Sequence, residues 1–205
     1  MLLPAAVISL SFSFTARAQV YFGVKGGLNL TNLDGSINRK AEYRPAFHGG
    51  VFLTGFVGRT VAFQPEILYS AQGNKFGLSS TASPENTLRM STVQVPLLVK
   101  LYPNKHFYLA AGPQLSVLVN AEEEIIRSGN SAVVTDVKNR YKTGDFGLVG
   151  GLGVEVSRLT FDARLVYGLT DLNNDPDEAA FRARAGFGGL HHRVFQLSAG
   201  FRILN

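Results

Sequence analysis

The chain contains no cysteine. It has no disulfide framework and no thiol to carry a lipid, so its stability has to come from closure and packing. Long apolar runs are also missing. The longest stretch beyond the amino-terminal segment without an acid or a base, residues 107–121, includes Gly112, Pro113, Gln114 and Ser116. A membrane-crossing helix needs about 20 apolar residues. The net charge is +5, but the bases are scattered rather than clustered, which argues against a nucleic-acid patch. Chemistry-bearing clusters are equally scarce. Asp171-Leu172-Asn173-Asn174-Asp175 opens like a calcium loop, yet Pro176 stands where glycine is needed and Arg182 where glutamate is needed. His191 and His192 are adjacent on a chain entering a strand, where they point to opposite faces and do not chelate as a pair. No glycine cluster has the strand–helix context of a phosphate loop, and no Ser-His-Asp or Cys-His arrangement stands out. No enzyme activity, metal or cofactor is expected.

What the chain does have is alternation. In Val194-Phe195-Gln196-Leu197-Ser198-Ala199-Gly200-Phe201-Arg202-Ile203 the residues Phe195, Leu197, Ala199, Phe201 and Ile203 share one face, and Gln196, Ser198, Gly200 and Arg202 share the other. A period of two is a strand between two different surroundings. Eight such strands are predicted, at residues 20–30, 46–57, 60–72, 88–102, 107–119, 143–156, 159–169 and 193–204. Residues 1–16 are uncharged and mostly apolar and lead into Ala16-Arg17-Ala18. That is the pattern of a signal peptide, predicted over 1–18, with the barrel domain over 19–205.

The connections alternate short and long. Tight turns are predicted at Gly58-Arg59, at Pro103-Asn104-Lys105-His106 and at Ser157-Arg158. Long polar loops are predicted at residues 31–45, 73–87, 120–142 and 170–192. An up-and-down meander then puts all turns at one end and all loops at the other, the layout of a transmembrane barrel with short periplasmic turns. One face of the strands is large and apolar throughout, and the other is crowded with glycine. A soluble barrel would also alternate, but a water-facing surface has no reason to be small. The inside of an eight-stranded barrel is barely wide enough for side chains, and glycine there makes room for a few long ones. The apolar face is therefore read as lipid contact. The fold class is all-β, an eight-stranded antiparallel up-and-down transmembrane β-barrel in the outer membrane. Pro65, Pro96 and Pro113 fall inside strands and predict bulges or shifts of register.

Five segments carry a family resemblance. They are Gln64-Pro65-Glu66-Ile67-Leu68-Tyr69-Ser70, Val95-Pro96-Leu97-Leu98-Val99-Lys100, Ala111-Gly112-Pro113-Gln114, Gly150-Gly151-Leu152-Gly153-Val154-Glu155 and Arg164-Leu165-Val166-Tyr167-Gly168-Leu169. In this order they resemble the outer-membrane β-barrel domain common in Bacteroidetes, often labelled porin family or PorT-like. The resemblance implies an outer-membrane barrel and little about activity. PorT-like members imply an accessory role in protein secretion. The chain ends Arg202-Ile203-Leu204-Asn205, without the terminal aromatic of many outer-membrane proteins, so weaker engagement of the barrel-insertion machinery is expected.

The candidate site is the set of charges on the glycine-rich face. Lys25, Lys100, Arg164 and Arg202 stand against Glu66, Asp145, Glu155 and Asp162. Unpaired charges in a narrow lumen would be costly, so a paired network filling the interior is expected. The alternatives are a narrow ion path and an accessory role in secretion. Bases also gather at the loop end, among them Arg39, Lys40, Lys75, Arg89, Arg127 and Lys142. They suit the anionic surface of lipopolysaccharide. Expected partners are outer-membrane lipid, lipopolysaccharide and the barrel-insertion machinery, with a monomer as the working state and the loop partner unspecified.

Overall fold

The structure is a computed structural model that describes residues 20–34, 41–76, 85–127, 131–171, 180–181, 184 and 191–204. The predicted signal peptide and most of the acidic loop that starts at Asp171 lie outside the described residues. Among the described residues nine strands form: β1 (Val20–Asp34), β2 (Ala41–Phe56), β3 (Val61–Phe76), β4 (Glu85–Leu101), β5 (Phe107–Arg127), β6 (Ser131–Asp136), β7 (Gly144–Val156), β8 (Leu159–Gly168) and β9 (His191–Leu204). Every pairing is antiparallel, and β9 returns to β1. Eight strands close the barrel in the order β1-β2-β3-β4-β5-β7-β8-β9. The short β6 pairs with the loop-end part of β5, where Glu122 faces Asp136 and Arg127 faces Ser131, and so stands above β7.

The register fixes the size of the barrel. Following partners from Val20 through Gly55, Phe63, Val99, Ala111, Gly150, Leu165 and Phe195 returns to β1 at Leu30, ten residues further along. Eight strands with a stagger of ten residues set a strand tilt of roughly 40° and a wall radius of about 8 Å. Side chains from opposite walls can meet at that radius. Alternation decides which ones do. Leu28, Leu53, Ile67, Leu115, Leu148 and Leu165 are exposed on the outside, while Lys25, Glu66, Lys100 and Arg164 are buried inside. A water-soluble protein would have these two sets reversed.

Three tight turns close the same end. Gly58 takes a left-handed φ of 88° and Ser157 one of 56°. Asn104 Oδ1 accepts from the backbone N–H of His106 at 2.9 Å and of Phe107 at 2.8 Å, which fixes the turn into β5.

The predicted strands match the observed ones to within about a residue at the turn end. At the loop end five of them run on by three residues or more. β1 continues to Asp34, β3 to Phe76 and β5 to Arg127, while β2 begins at Ala41 and β4 at Glu85. The predicted loop at 120–142 is thus corrected: it holds the rest of β5, all of β6 and a 3-10 turn at Lys138–Arg140. Both faces of a strand are wet beyond the membrane, so alternation no longer marks it. The expected bulges at the prolines are also corrected. Pro65 faces Leu97, and pairing resumes at Leu68 and Gln94 in an unchanged register. An antiparallel residue donates to one neighbour only, so a proline deletes bonds without demanding an extra residue. Register shifts fall elsewhere, between Tyr43 and His48 on β2, between Ser91 and Thr92 on β4, and between Phe22 and Gly23 on β1.

Candidate functional site: the filled lumen

The inward side chains stack in tiers. At the turn end Tyr21, Phe56, Tyr102 and Tyr108 form a chain of rings with successive centroids 5.9, 5.2 and 5.6 Å apart. Glu155 on β7 accepts from Lys100 Nζ on β4 at 3.0 Å and from the Tyr102 hydroxyl at 3.0 Å. Arg202 Nη1 stands 3.5 Å from Glu155, and the same guanidinium donates to the carbonyl of Ser157 in the turn. Lys100 Nζ also sits 3.7 Å from the centre of the Tyr108 ring, a cation–π contact in a desolvated setting.

The next tier crosses the whole barrel. β3 and β8 are four strands apart in a ring of eight and therefore face each other. Arg164 on β8 grips Glu66 on β3 through two parallel bonds of 2.8 Å each. Arg164 Nε lies 2.8 Å from Asp162 Oδ1, near enough to pair but off the N–H axis. Lys25 Nζ lies 2.9 Å from Asp162 Oδ2 and 3.6 Å from Glu66 Oε1. Gln64 donates to Glu66 at 2.6 Å and accepts from Thr54 at 2.7 Å. Two bases and two acids balance, and Arg164 and Glu66 are 2% and 1% exposed. A bidentate, charge-assisted pair is the geometry that offsets the desolvation of burying ions. The Tyr108 hydroxyl, 3.4 Å from Asp162, joins the two charged tiers.

Glycine makes this packing possible. A Cβ on Gly153 would lie 2.4 Å from the Tyr108 ring, and one on Gly151 would lie 2.7 Å from Arg164 Cγ. Gly112 has a different task. Its Cβ would strike the carbonyl of Leu97 on the adjacent strand at 2.0 Å, so it lets neighbouring backbones approach and the sheet coil.

Above the ions the described inward side chains are mostly uncharged, Asp145 apart. His48 Nδ1 is 2.7 Å from Asn29 Oδ1 and its Nε2 is 2.9 Å from Ser198 Oγ. Asn29 donates to Ser70 Oγ at 2.9 Å, and Gln114 to Ser116 Oγ at 3.2 Å. Leu98, Val149, Val166 and Val194 supply an apolar wall. At the loop end Val137 packs on Met90, Leu118 and Ala121, with Tyr141 against them. The backbone N–H of Val137 donates to Ala121 at 3.0 Å and that of Leu118 to Thr143 at 2.7 Å.

Seven of the eight charges read from the sequence, Lys25, Glu66, Lys100, Glu155, Asp162, Arg164 and Arg202, are thus brought together. Asp145 is not with them. It is half-buried opposite Ser116, ten residues along β7 from Glu155 and so about 30 Å away along the strand. The expected balance of four against four becomes four bases against three acids in the clusters. The surplus base is Arg202, which is partly exposed at the turn-end mouth. Sequence reasoning gave no role to Tyr102, Tyr108 or His48. Their signal was position alone: Tyr108 alternates with the outward Phe107 and Leu109, and His48 shares the inward face with Gly50 and Phe52.

Among solved structures the chain is similar in shape to several small outer-membrane proteins. With Ail, the attachment invasion locus protein of Yersinia pestis, in complex with the heparin analogue sucrose octasulfate, it shares 10% identity at a TM-score of 0.47, over 91% of this chain and 99% of that one. With Neisserial surface protein A the values are 10% and 0.45, over 90% and 97%. With OprG from Pseudomonas aeruginosa they are 14% and 0.44, over 90% and 96%. Comparison with curated proteins finds no significant match. The family model described as outer membrane protein beta-barrel domain matches residues 12–174, which span most of the barrel described above. The chain belongs to that family and is a β-barrel of the cell outer membrane.

Proposed function

We propose that this protein is a non-enzymatic, monomeric barrel that anchors and displays its loop-end strands at the cell surface, with a lumen that is a plug. The observation that carries this reading is the Arg164–Glu66 pair, which spans the full width of the lumen between opposite strands. The packed aromatic rings below and the apolar cluster around Val137 above support it. A structural or interaction role through the outer strands follows, because those strands stand beyond the membrane. The accessory role in secretion that PorT-like resemblance implies would use the same outer surface.

Ion conduction is the second reading. Lys25 stands within reach of both Glu66 and Asp162, so ion pairs could exchange partners and open a narrow path. Single-channel recording of the refolded protein in a planar bilayer separates the two. The plug reading expects conductance that is absent or tiny. A large, steady conductance in the unmutated protein overturns it.

A further inference from the structure

The outward face carries a groove near its loop end that the lumen does not use. It holds about 400 Å³ and lies over β2, β3 and β4, lined by Ala46, Phe47, Tyr69, Ala71, Ser91 and Arg89, with Gln72 and Met90 at its inner edge. Its cause is local. Pairing of β2 with β3 lapses between Tyr43 and His48, and β4 shifts register against β5 at Ser91. The floor is made of small side chains, Ala71 and Ser91 being register partners. Phe47, 60% exposed, and Tyr69 form the walls. The Tyr69 hydroxyl donates to Ser91 Oγ at 2.9 Å, which fixes its ring.

The breach is sealed from inside. Buried Asn29 donates from Nδ2 to the carbonyl of Ala71 at 3.1 Å and to that of Phe47 at 3.4 Å. Carbonyls that would otherwise meet hydrocarbon unpaired are satisfied by a side chain. The groove is therefore a stable feature of the wall.

Arg89 stands at the loop-end rim of the groove, two residues beyond Ser91 on β4. Its side chain is 56% exposed, and among the described residues its Nη2 is engaged by Glu124 at 2.6 Å. Its register partner on β3 is Gly73, so no side chain stands next to it there. Glu122 is its register partner on β5, Glu124 two residues further on accepts from Nη2, and the guanidinium keeps further N–H donors for a phosphate. An apolar trough with aromatic walls thus runs up to a cation where the apolar band gives way to the polar strand ends. That combination fits an amphiphile whose acyl chain is joined to an anionic group. A guanidinium favours phosphate, which it can bind through two bonds at once. We propose that the groove binds a phosphorylated lipid of the surrounding leaflet, with an acyl chain between Phe47 and Tyr69 and the phosphate on Arg89. The proposal rests on the barrel lying in the membrane and not on the lumen being closed, so a conductance result leaves it standing.

The chain contains no tryptophan, so Phe47→Trp supplies a single reporter that keeps the aromatic wall. The full chain is refolded in detergent micelles doped with brominated phosphatidic acid or brominated phosphatidylcholine, and folding is checked by heat-dependent gel mobility. Quenching by the anionic lipid should exceed that by the zwitterionic one about fivefold in apparent affinity, the effect of one basic residue near an anionic headgroup. Arg89→Ala in the reporter background should abolish the preference, and Arg89→Lys should retain most of it. Ala71→Leu, which fills the floor, should weaken quenching by both lipids. A reporter at Leu115→Trp, elsewhere on the outward face, should show no preference. Excess inorganic phosphate should change nothing. Equal quenching by the two lipids at the Phe47→Trp reporter, a preference that survives Arg89→Ala, or displacement by inorganic phosphate overturns the proposal.

Discussion

The two halves of the lumen solve the same packing problem with different chemistry. Near the turns the interior is held by ions, with Arg164 and Glu66 meeting across the barrel and Lys100, Glu155 and Arg202 meeting near the turn-end mouth. Near the loops it is held by amides, hydroxyls and His48 on short local bonds. An ion in a narrow, dry interior needs its partner at close range, whatever wall that partner comes from. A neutral amide loses far less when a partner is missing. The halves should therefore answer very differently to the loss of one side chain, and the charged half should set the stability of the barrel.

The sharpest break is Arg164→Ala. It takes the bidentate partner from Glu66 and leaves Lys25 to serve both Asp162 and Glu66, and removing one member of a buried pair costs about 3–5 kcal/mol. The urea midpoint in lipid should fall accordingly, and Glu66→Ala should behave alike. The double variant should cost clearly less than the two single losses combined, because the second change removes the stranded charge. Additive losses would mean that the pair is not a unit. Next in size is Leu97→Arg, which puts a charge on the outward face of β4 at the middle of the apolar row from Val93 to Leu101. At the bilayer midplane that costs about 2–4 kcal/mol. The variant should fail to insert into lipid vesicles. A Leu97→Arg chain that folds in detergent-free buffer would mean that the two faces of the strand have been exchanged.

A smaller effect tests why the inward face is rich in glycine. Gly153→Ala drives a methyl into the Tyr108 ring, and overpacking of this kind costs about 1–3 kcal/mol. Combining it with Tyr108→Leu should recover part of the loss as read from the same urea transition. No recovery would show that the strain lies in the backbone rather than in the ring. Gly150→Ala is the matched control, since nothing lies within 4 Å of a Cβ built there.

How much of this was legible in the chain depended on whether one face met lipid. From Val93 to Leu101 each outward residue is apolar, so strand, face and barrel could all be read by alternation. Beyond Val119 the rule fails: Glu122-Glu123-Glu124 form part of β5 with no apolar face to announce it, and such a segment reads as a loop. The register shift at Ser91 adds to this, because it switches the inward face of β5 from Leu118 to Ala121. Within the site, parity named the charges but not their heights. Asp145 has the right parity and the wrong height, and only the pairing of β7 with β5 places it beside Ser116, far from Arg164. The tyrosine rings went unassigned because a tyrosine suits lipid interface and lumen equally well.

The mildest change probes the neutral half directly. Gln94 is 0% exposed between Leu68 and Ser116, and neither atom of its amide has a hydrogen-bond partner among the described residues. A buried polar group without a partner costs about 1–3 kcal/mol, and a hydrocarbon of similar shape avoids that cost. Gln94→Leu should therefore leave the urea midpoint unchanged or raise it by up to about 1 kcal/mol of stability. Gln114→Leu, one strand away, should lower it instead, because Gln114 donates to Ser116 and the hydroxyl would lose that bond. The two substitutions are chemically the same and differ only in whether a bond exists to be lost. If Gln94→Leu proves as costly as Arg164→Ala, the amide is held by a partner as firmly as the ions are. The contrast between a charged half that fixes the barrel and a neutral half that merely fills it would then fall.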